Sequence, residues 1–153
     1  MTTPTPPEPV PPVSPRTVLF LCVHNAGRSQ MALGWLQHLA HGRAVGLSGG
    51  SEPAREVNPA AVVAMAEVGI DIAHHTPRRW ADADLEAADV VVTMGCGDTC
   101  PYVPGTRYED WPLDDPAGKD LEAVREIRDH IRTRVERLLE DVATMPRSDD
   151  TVP

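Results

Sequence analysis

The hydrophobic pattern of this chain changes period several times, and each change marks an element. No polar side chain interrupts Val18 to Leu21, so residues 17–23 read as a strand buried on both faces. Met31, Ala32, Trp35, Leu36 and Leu39 then recur on one face of a helix, predicted from Ser29 to about His41 with Gly42 as its stop. Residues 44–48 read as a short second strand, and Gly49-Gly50-Ser51-Glu52-Pro53 as a loop. Asn58-Pro59 has the form of an N-cap followed by proline at the first helical position, opening a helix that Gly69 ends. Residues 82–87 suit a short helix. The β-branched run at 89–94 is the third strand, and Tyr108 to Trp111 the fourth. The last helix runs from Asp120 to about Ala143, with Leu121, Val124, Ile127, Ile131, Val135, Leu138 and Val142 as its apolar stripe.

Strands alternating with helices predict an α/β fold: three layers, a four-stranded parallel sheet flanked by helices. Ligands of such sheets bind beyond the carboxyl ends of the strands. The segments after the first and third strands, Cys22–Ser29 and Gly95–Gly105, therefore belong on one edge and face each other. A single domain over 16–145 is expected, with a disordered Pro-rich tail at 1–15 and a flexible tail at 146–153.

Composition narrows the partners. The 153 residues carry a formal charge of −9, which argues against nucleic acid or an anionic membrane. No apolar stretch nears the roughly 20 residues of a membrane-spanning helix. Three cysteines are an odd count for a disulfide scaffold and suit reactive thiols in a reducing cytoplasm. No resident cofactor or metal is expected, and the chain is expected to be a monomer.

Against that acidity, Cys22-Val23-His24-Asn25-Ala26-Gly27-Arg28-Ser29 stands out. A loop between a strand and a helix can wrap backbone N–H groups around a tetrahedral oxyanion, with the helix N-terminus adding positive potential. Arg28 can grip two oxygens at once and stabilise transition-state charge. The same field favours the thiolate of Cys22, the nucleophilic form, and the Ser29 hydroxyl can donate to it. Asn25 is expected to hold the strained turn through its side-chain amide, and Gly27 to permit close backbone approach. A buried structural cysteine beside a helix-start arginine is the plainer alternative. The Val23 to Ser29 backbone is thus the candidate oxyanion cradle; His24 lies in it without an assigned proton-transfer role.

Two further segments bear on the chemistry. Asp114-Asp115-Pro116 precedes the last helix, and Asp115 is the candidate acid for a leaving oxygen. Gly95-Cys96-Gly97-Asp98-Thr99-Cys100-Pro101 places two cysteines four apart among glycines. Thiol–disulfide exchange, a zinc site completed by His74 and His75, and two inert cysteines are the readings open at this point.

Together these three motifs resemble the arsenate reductases built on the low-molecular-weight protein tyrosine phosphatase fold, over roughly residues 17–143. The resemblance implies reduction of arsenate to arsenite, with phosphate and sulfate as competing oxyanions. It implies that Cys22 attacks arsenate held by the loop and Arg28, and that Asp115 protonates the departing hydroxyl. Cys96 would resolve the adduct as a Cys22–Cys96 disulfide, and Cys100 would move it to Cys96–Cys100. Thioredoxin would then reduce the exported disulfide.

The chain departs from the family pattern at Gly27, where the phosphatases and some reductases carry a second loop cysteine. The Cys96–Cys100 spacing is also shorter than in some thioredoxin-coupled members. A mycothiol-coupled reductase is one alternative; the second and third cysteines favour thioredoxin. A tyrosine phosphatase using Cys22, Arg28 and Asp115 is the other, weakened by Ala117 where an aromatic usually follows the Asp-Pro. Some members bind potassium near the loop, and Asn25 matches one contributing position.

Overall fold

The computed structural model describes residues 15–95 and 101–144. Its elements are β1 (Arg16–Cys22), α1 (Arg28–Leu39), β2 (Ala44–Gly50), α2 (Pro59–Glu67), α3 (Asp82–Ala87), β3 (Val90–Thr93), β4 (Arg107–Asp110) and α4 (Leu121–Thr144). The four strands form one parallel sheet in the order β2-β1-β3-β4. The α/β architecture with helices on both faces is therefore as the alternation of elements predicts.

β1 is central and buried on both sides, which is why its sequence lacks a polar alternation. Val18, Phe20 and Cys22 face a large core shared with α1, α2 and α4. Leu19 and Leu21 face a thinner layer with Ala88 and Val91, covered by Leu85 of α3, Trp80 and Tyr108. On α4, Val124, Ile127, Ile131, Val135, Leu138 and Val142 are buried. Each such side chain contributes about 1.5–3 kcal/mol on leaving water. α2 opens as its sequence predicts: Asn58 Oδ1 accepts from the Ala60 N–H at 2.9 Å, with Pro59 in the first helical position.

Two boundaries differ from the sequence expectation. α1 ends at Leu39, because His41 (φ 47°) and Gly42 (φ 83°) both turn left-handed. Arg43 makes this early exit tolerable by donating to the carbonyls of Leu39 and Ala40, both at 2.9 Å. β2 runs on through Gly49 and Gly50, paired with Leu21 and Cys22. Those glycines are in the strand because other backbone crowds them. A Cβ on Gly49 would lie 2.8 Å from the Trp80 nitrogen, and one on Gly50 2.6 Å from the Val23 carbonyl oxygen. Glycine here signals close approach, not a turn.

Candidate functional site

β1 delivers Cys22 to the carboxyl edge of the sheet, and α1 begins six residues later at Arg28. Between them the backbone is held from outside. The Val23 carbonyl accepts from Glu52 N–H at 2.8 Å, the His24 carbonyl from Ala54 N–H at 3.0 Å, and the Ala26 carbonyl from Asn58 N–H at 2.8 Å. In a trans peptide the N–H points opposite to the preceding carbonyl. The N–H groups of His24, Asn25 and Gly27 are therefore turned into the loop. Asn25 N–H donates to Cys22 Sγ at 3.2 Å, so this concavity is where the sulfur sits. At the start of α1, the N–H groups of Arg28 and Ser29 have no protein acceptor among the described residues, as a helix start requires. The loop is thus a ring of inward donors around a thiol, suited to a tetrahedral anion.

The side chains that brace this ring are buried. Asn25, at φ 51°, is fully buried, and its strained backbone is held by its own amide. Asn25 Nδ2 donates to Ser29 Oγ at 2.7 Å, and Asn25 Oδ1 accepts from Arg78 N–H at 2.9 Å and Gln30 Nε2 at 3.1 Å. Gln30 Nε2 also donates to the Asn25 carbonyl at 3.0 Å. Ser29 Oγ lies 2.9 Å from Cys22 Sγ. The sulfur of a thiolate would therefore accept from a hydroxyl and a backbone N–H, both within reach without rearrangement.

Arg28 joins the loop to the segment before α4. Its Nη1 donates to the Leu113 carbonyl at 3.2 Å, and its Nη2 lies 3.6 Å from Asp115 Oδ2. The guanidinium is buried while the Asp115 side chain is 48% exposed. Asp115 Oδ1 accepts from Ala117 N–H at 3.0 Å, an Asx turn that sets the carboxyl direction. Pro116 seats directly on Gly27: a Cβ at position 27 would overlap the proline ring. Gly95, at φ 80°, follows β3 and lies against Arg28, and a Cβ there would overlap the guanidinium.

Cys22, Arg28, Ser29 and Asp115 thus gather on one edge, together with the Asn25 brace and Gly27. Val23 packs outward into the thinner layer, Ala26 is half-buried, and His24 is exposed with Nδ1 3.1 Å from the Glu52 carbonyl. Cys96 and Cys100 lie outside the described residues, as do nearly all of the Pro-rich tail and the C-terminal tail. Among the described residues no group of three or more His, Cys, Asp or Glu side chains could hold a metal ion.

Sequence reasoning missed three contributors: Gln30, Arg78 and His75. His75 entered only as a zinc candidate, yet its Nδ1 lies 2.9 Å from Gln30 Oε1. Burial holds its pKa below the usual imidazole value, with His74 adding to the effect and Asp71 opposing it. Nothing in the local pattern marks these residues, since Gln30 lies between Ser29 and Met31 on a buried helix turn and its partners are 45 residues away or at the loop itself.

Residues 17–147 match the family model described as low molecular weight phosphotyrosine protein phosphatase. The chain is 42% identical over 125 residues to "Arsenate reductase 2" of Staphylococcus epidermidis, covering 79% of this chain and 94% of that one. It is 38% identical over 131 residues to "Glutaredoxin arsenate reductase" of Synechocystis sp., covering 84% and 99%. A solved thioredoxin-dependent arsenate reductase of Corynebacterium glutamicum superposes with a TM-score of 0.75 at 40% identity. That match covers 84% of this chain and 62% of the Corynebacterium protein.

Proposed function

The chain belongs to the low molecular weight phosphotyrosine protein phosphatase family, within its arsenate reductases, and from that premise we propose that it reduces arsenate to arsenite through three cysteines. The observation that carries the reading is the pair of polar groups on Cys22 Sγ, the Ser29 hydroxyl and the donating Asn25 N–H, set beside the Arg28–Asp115 pair. Arsenate enters the ring of N–H groups with two oxygens on Arg28. The Cys22 thiolate attacks arsenic, and Asp115 protonates the oxygen that leaves as water. The product is a Cys22–arsenate thioester still at As(V).

Reduction needs a second sulfur. The Cys96 thiolate attacks Cys22 Sγ; the S–As bond breaks, its electron pair stays on arsenic, and arsenite departs as As(III). The two sulfurs are left as a disulfide. The Cys100 thiolate then attacks Cys96, which frees Cys22 and moves the disulfide outward. Cys96 is the next residue after Gly95, whose backbone abuts Arg28, so its attachment to the chain begins at the anion site. A disulfide left in the anion pocket would be shielded from any protein reductant, which is the physical reason for a third thiol.

The external reductant in this reading is thioredoxin, as named for the Corynebacterium protein; the Synechocystis relative is named for glutaredoxin. The reading includes no potassium ion at Asn25. An ion would need the Asn25 side-chain oxygen, which already accepts from Gln30 Nε2 and Arg78 N–H, while Arg78 Nη1 donates to the neighbouring Ser48 carbonyl at 2.9 Å. These residues do not fit a cation.

Hydrolysis of aryl phosphates by Cys22, Arg28 and Asp115 is the second activity such a site supports, because phosphate shares the shape and charge of arsenate. The test separates the two. With thioredoxin, thioredoxin reductase and NADPH, arsenate should drive steady NADPH consumption. Cys96→Ser should abolish it and leave aryl phosphate hydrolysis intact. Arsenate turnover that survives Cys96→Ser would rule out the relay. A mixed disulfide of Cys22 with an added small thiol, in place of a Cys96–Cys100 bond, would point to a mycothiol-type route.

A further inference from the structure

The segment that carries Cys96 and Cys100 is entered from Gly95 and left at Pro101, and both of these ends are tied to the sheet. At the entry, Met94 N–H donates to the Leu21 carbonyl at 2.8 Å, and Gly95 lies against the Arg28 guanidinium. At the exit the tie is one side chain. Tyr108 Oη accepts from Val103 N–H at 2.7 Å and donates to the Pro101 carbonyl at 3.1 Å. An N–H can only donate and a carbonyl can only accept, so the hydroxyl uses a lone pair on one and its hydrogen on the other.

Tyr108 belongs to β4, opposite Val91 of β3, and its half-buried ring packs on the layer of Leu19, Leu21 and Val91. The hydroxyl is thus carried by the sheet itself. The chain it ties doubles back through Pro104 and Gly105. Gly105 has φ 88°, and Thr106 N–H closes on the Val103 carbonyl at 3.3 Å, the pattern of a turn with proline second and glycine third. The Tyr102 ring lies 4.9 Å from the Tyr108 ring but is 73% exposed, so its burial adds little to the tie.

The length of untied chain follows. With the hydroxyl in place, five residues, 96–100, lie between the two ties; without it the span runs to the start of β4 at Arg107 and holds eleven. The concentration of a tethered group at a fixed point falls roughly as the −3/2 power of tether length, so releasing the exit lowers it about threefold.

We propose that Tyr108 is a positioning residue for the resolving thiols: its hydroxyl fixes the exit of the Cys96–Cys100 segment, as Gly95 fixes the entry, and so raises the effective concentration of Cys96 at Cys22 Sγ. The proposal rests on the three-cysteine reading above. Aryl phosphate hydrolysis needs no second thiol and does not depend on it.

The test is the equilibrium between the Cys22–Cys96 disulfide and a glutathione buffer, in full-length protein carrying Cys100→Ser so that two thiols remain. Each protein disulfide formed consumes one oxidised glutathione and releases two reduced ones, and the constant reads the effective concentration of Cys96 at Cys22. Tyr108→Phe keeps the ring and deletes the hydroxyl; it should lower this constant about threefold. With native cysteines, Tyr108→Phe should slow single-turnover arsenate reduction by the same factor and leave kcat and KM for aryl phosphate hydrolysis unchanged. Tyr102→Ala, which removes the ring contact and spares the hydroxyl, should leave the constant as it is. A folded Tyr108→Phe protein with an equal or higher constant overturns the proposal. So does a Tyr102→Ala protein whose constant falls as far, or aryl phosphate hydrolysis that falls in step. Absence of any Cys22–Cys96 disulfide with Tyr108 intact would overturn the relay and this inference together. A disulfide that forms, and responds to Tyr108→Phe, in a protein that does not turn over arsenate would count against the relay alone.

Discussion

Two loops meet at Arg28, and they are held in different ways. The Cys22–Ser29 loop joins a buried strand to a buried helix, and the carbonyls of Val23, His24 and Ala26 are fixed by the N–H groups of residues 52–58. Its side-chain brace lies within the protein. The 112–118 loop that carries Asp115 has a carboxyl that is half exposed. Behind it an open cleft of about 330 Å³, lined by Leu113, Asp114, Lys119, Ile127 and His130 among others, separates it from α4. It is held to the anion loop through Arg28 and through the seat of Pro116 on Gly27. The difference matches the work that the proposed function gives each loop. An anion cradle must not reorganise while charge develops. An acid must deliver a proton and let product leave, and partial exposure allows both.

The largest effect that sharpens this contrast is expected from Asp115→Asn. Removing the acid should slow the chemical step by about 100-fold or more, while phosphate competes for the cradle as tightly as before. Single-turnover kinetics and phosphate inhibition measure the two separately. Equal loss of both would mean that Asp115 shapes the cradle as well.

A smaller effect should come from Gly27→Ala. A Cβ at position 27 would overlap the Pro116 ring, and that overlap is the cost the variant tests. The acid loop should lift from its seat at a cost of about 1–3 kcal/mol, read as a lower denaturation midpoint and a fall in turnover larger than the loss of phosphate affinity. Wild-type turnover in this variant would show that Arg28 alone seats Asp115.

The smallest effect concerns pH. His75 has its folded-state pKa depressed by burial below 6.5, so the unfolded chain binds a proton more readily than the folded one. The stabilising contribution of neutral His75 is present above that value and is lost as pH falls through the lower folded-state pKa. Thermal midpoints of the wild type should therefore fall more steeply below about pH 6.5 than those of His75→Asn. Parallel profiles would locate the acid sensitivity elsewhere.

Much of the anion loop was legible because its chemistry is local. A strand, a cysteine, six residues to an arginine and a helix start are contiguous in sequence, so their order along the chain is enough to mark them. The assignment of Asp115 was a choice between adjacent carboxylates, and the structure places Asp115 3.6 Å from Arg28 Nη2. The glycines at 49 and 50 read as the start of a loop because the residues that crowd them, Trp80 and Val23, are distant in sequence.

By itself the sequence determined the element order and the parallel α/β class and marked the candidate loop and thiols, since each depends on periodicity or on neighbours within one turn. Tertiary structure alone decided what braces the cradle. Arg78 and Gln30 meet on the Asn25 amide, and His75 on Gln30, because segments far apart in the chain must satisfy linked buried polar atoms. That requirement exists only once the core has closed around them, so it leaves no pattern along the chain.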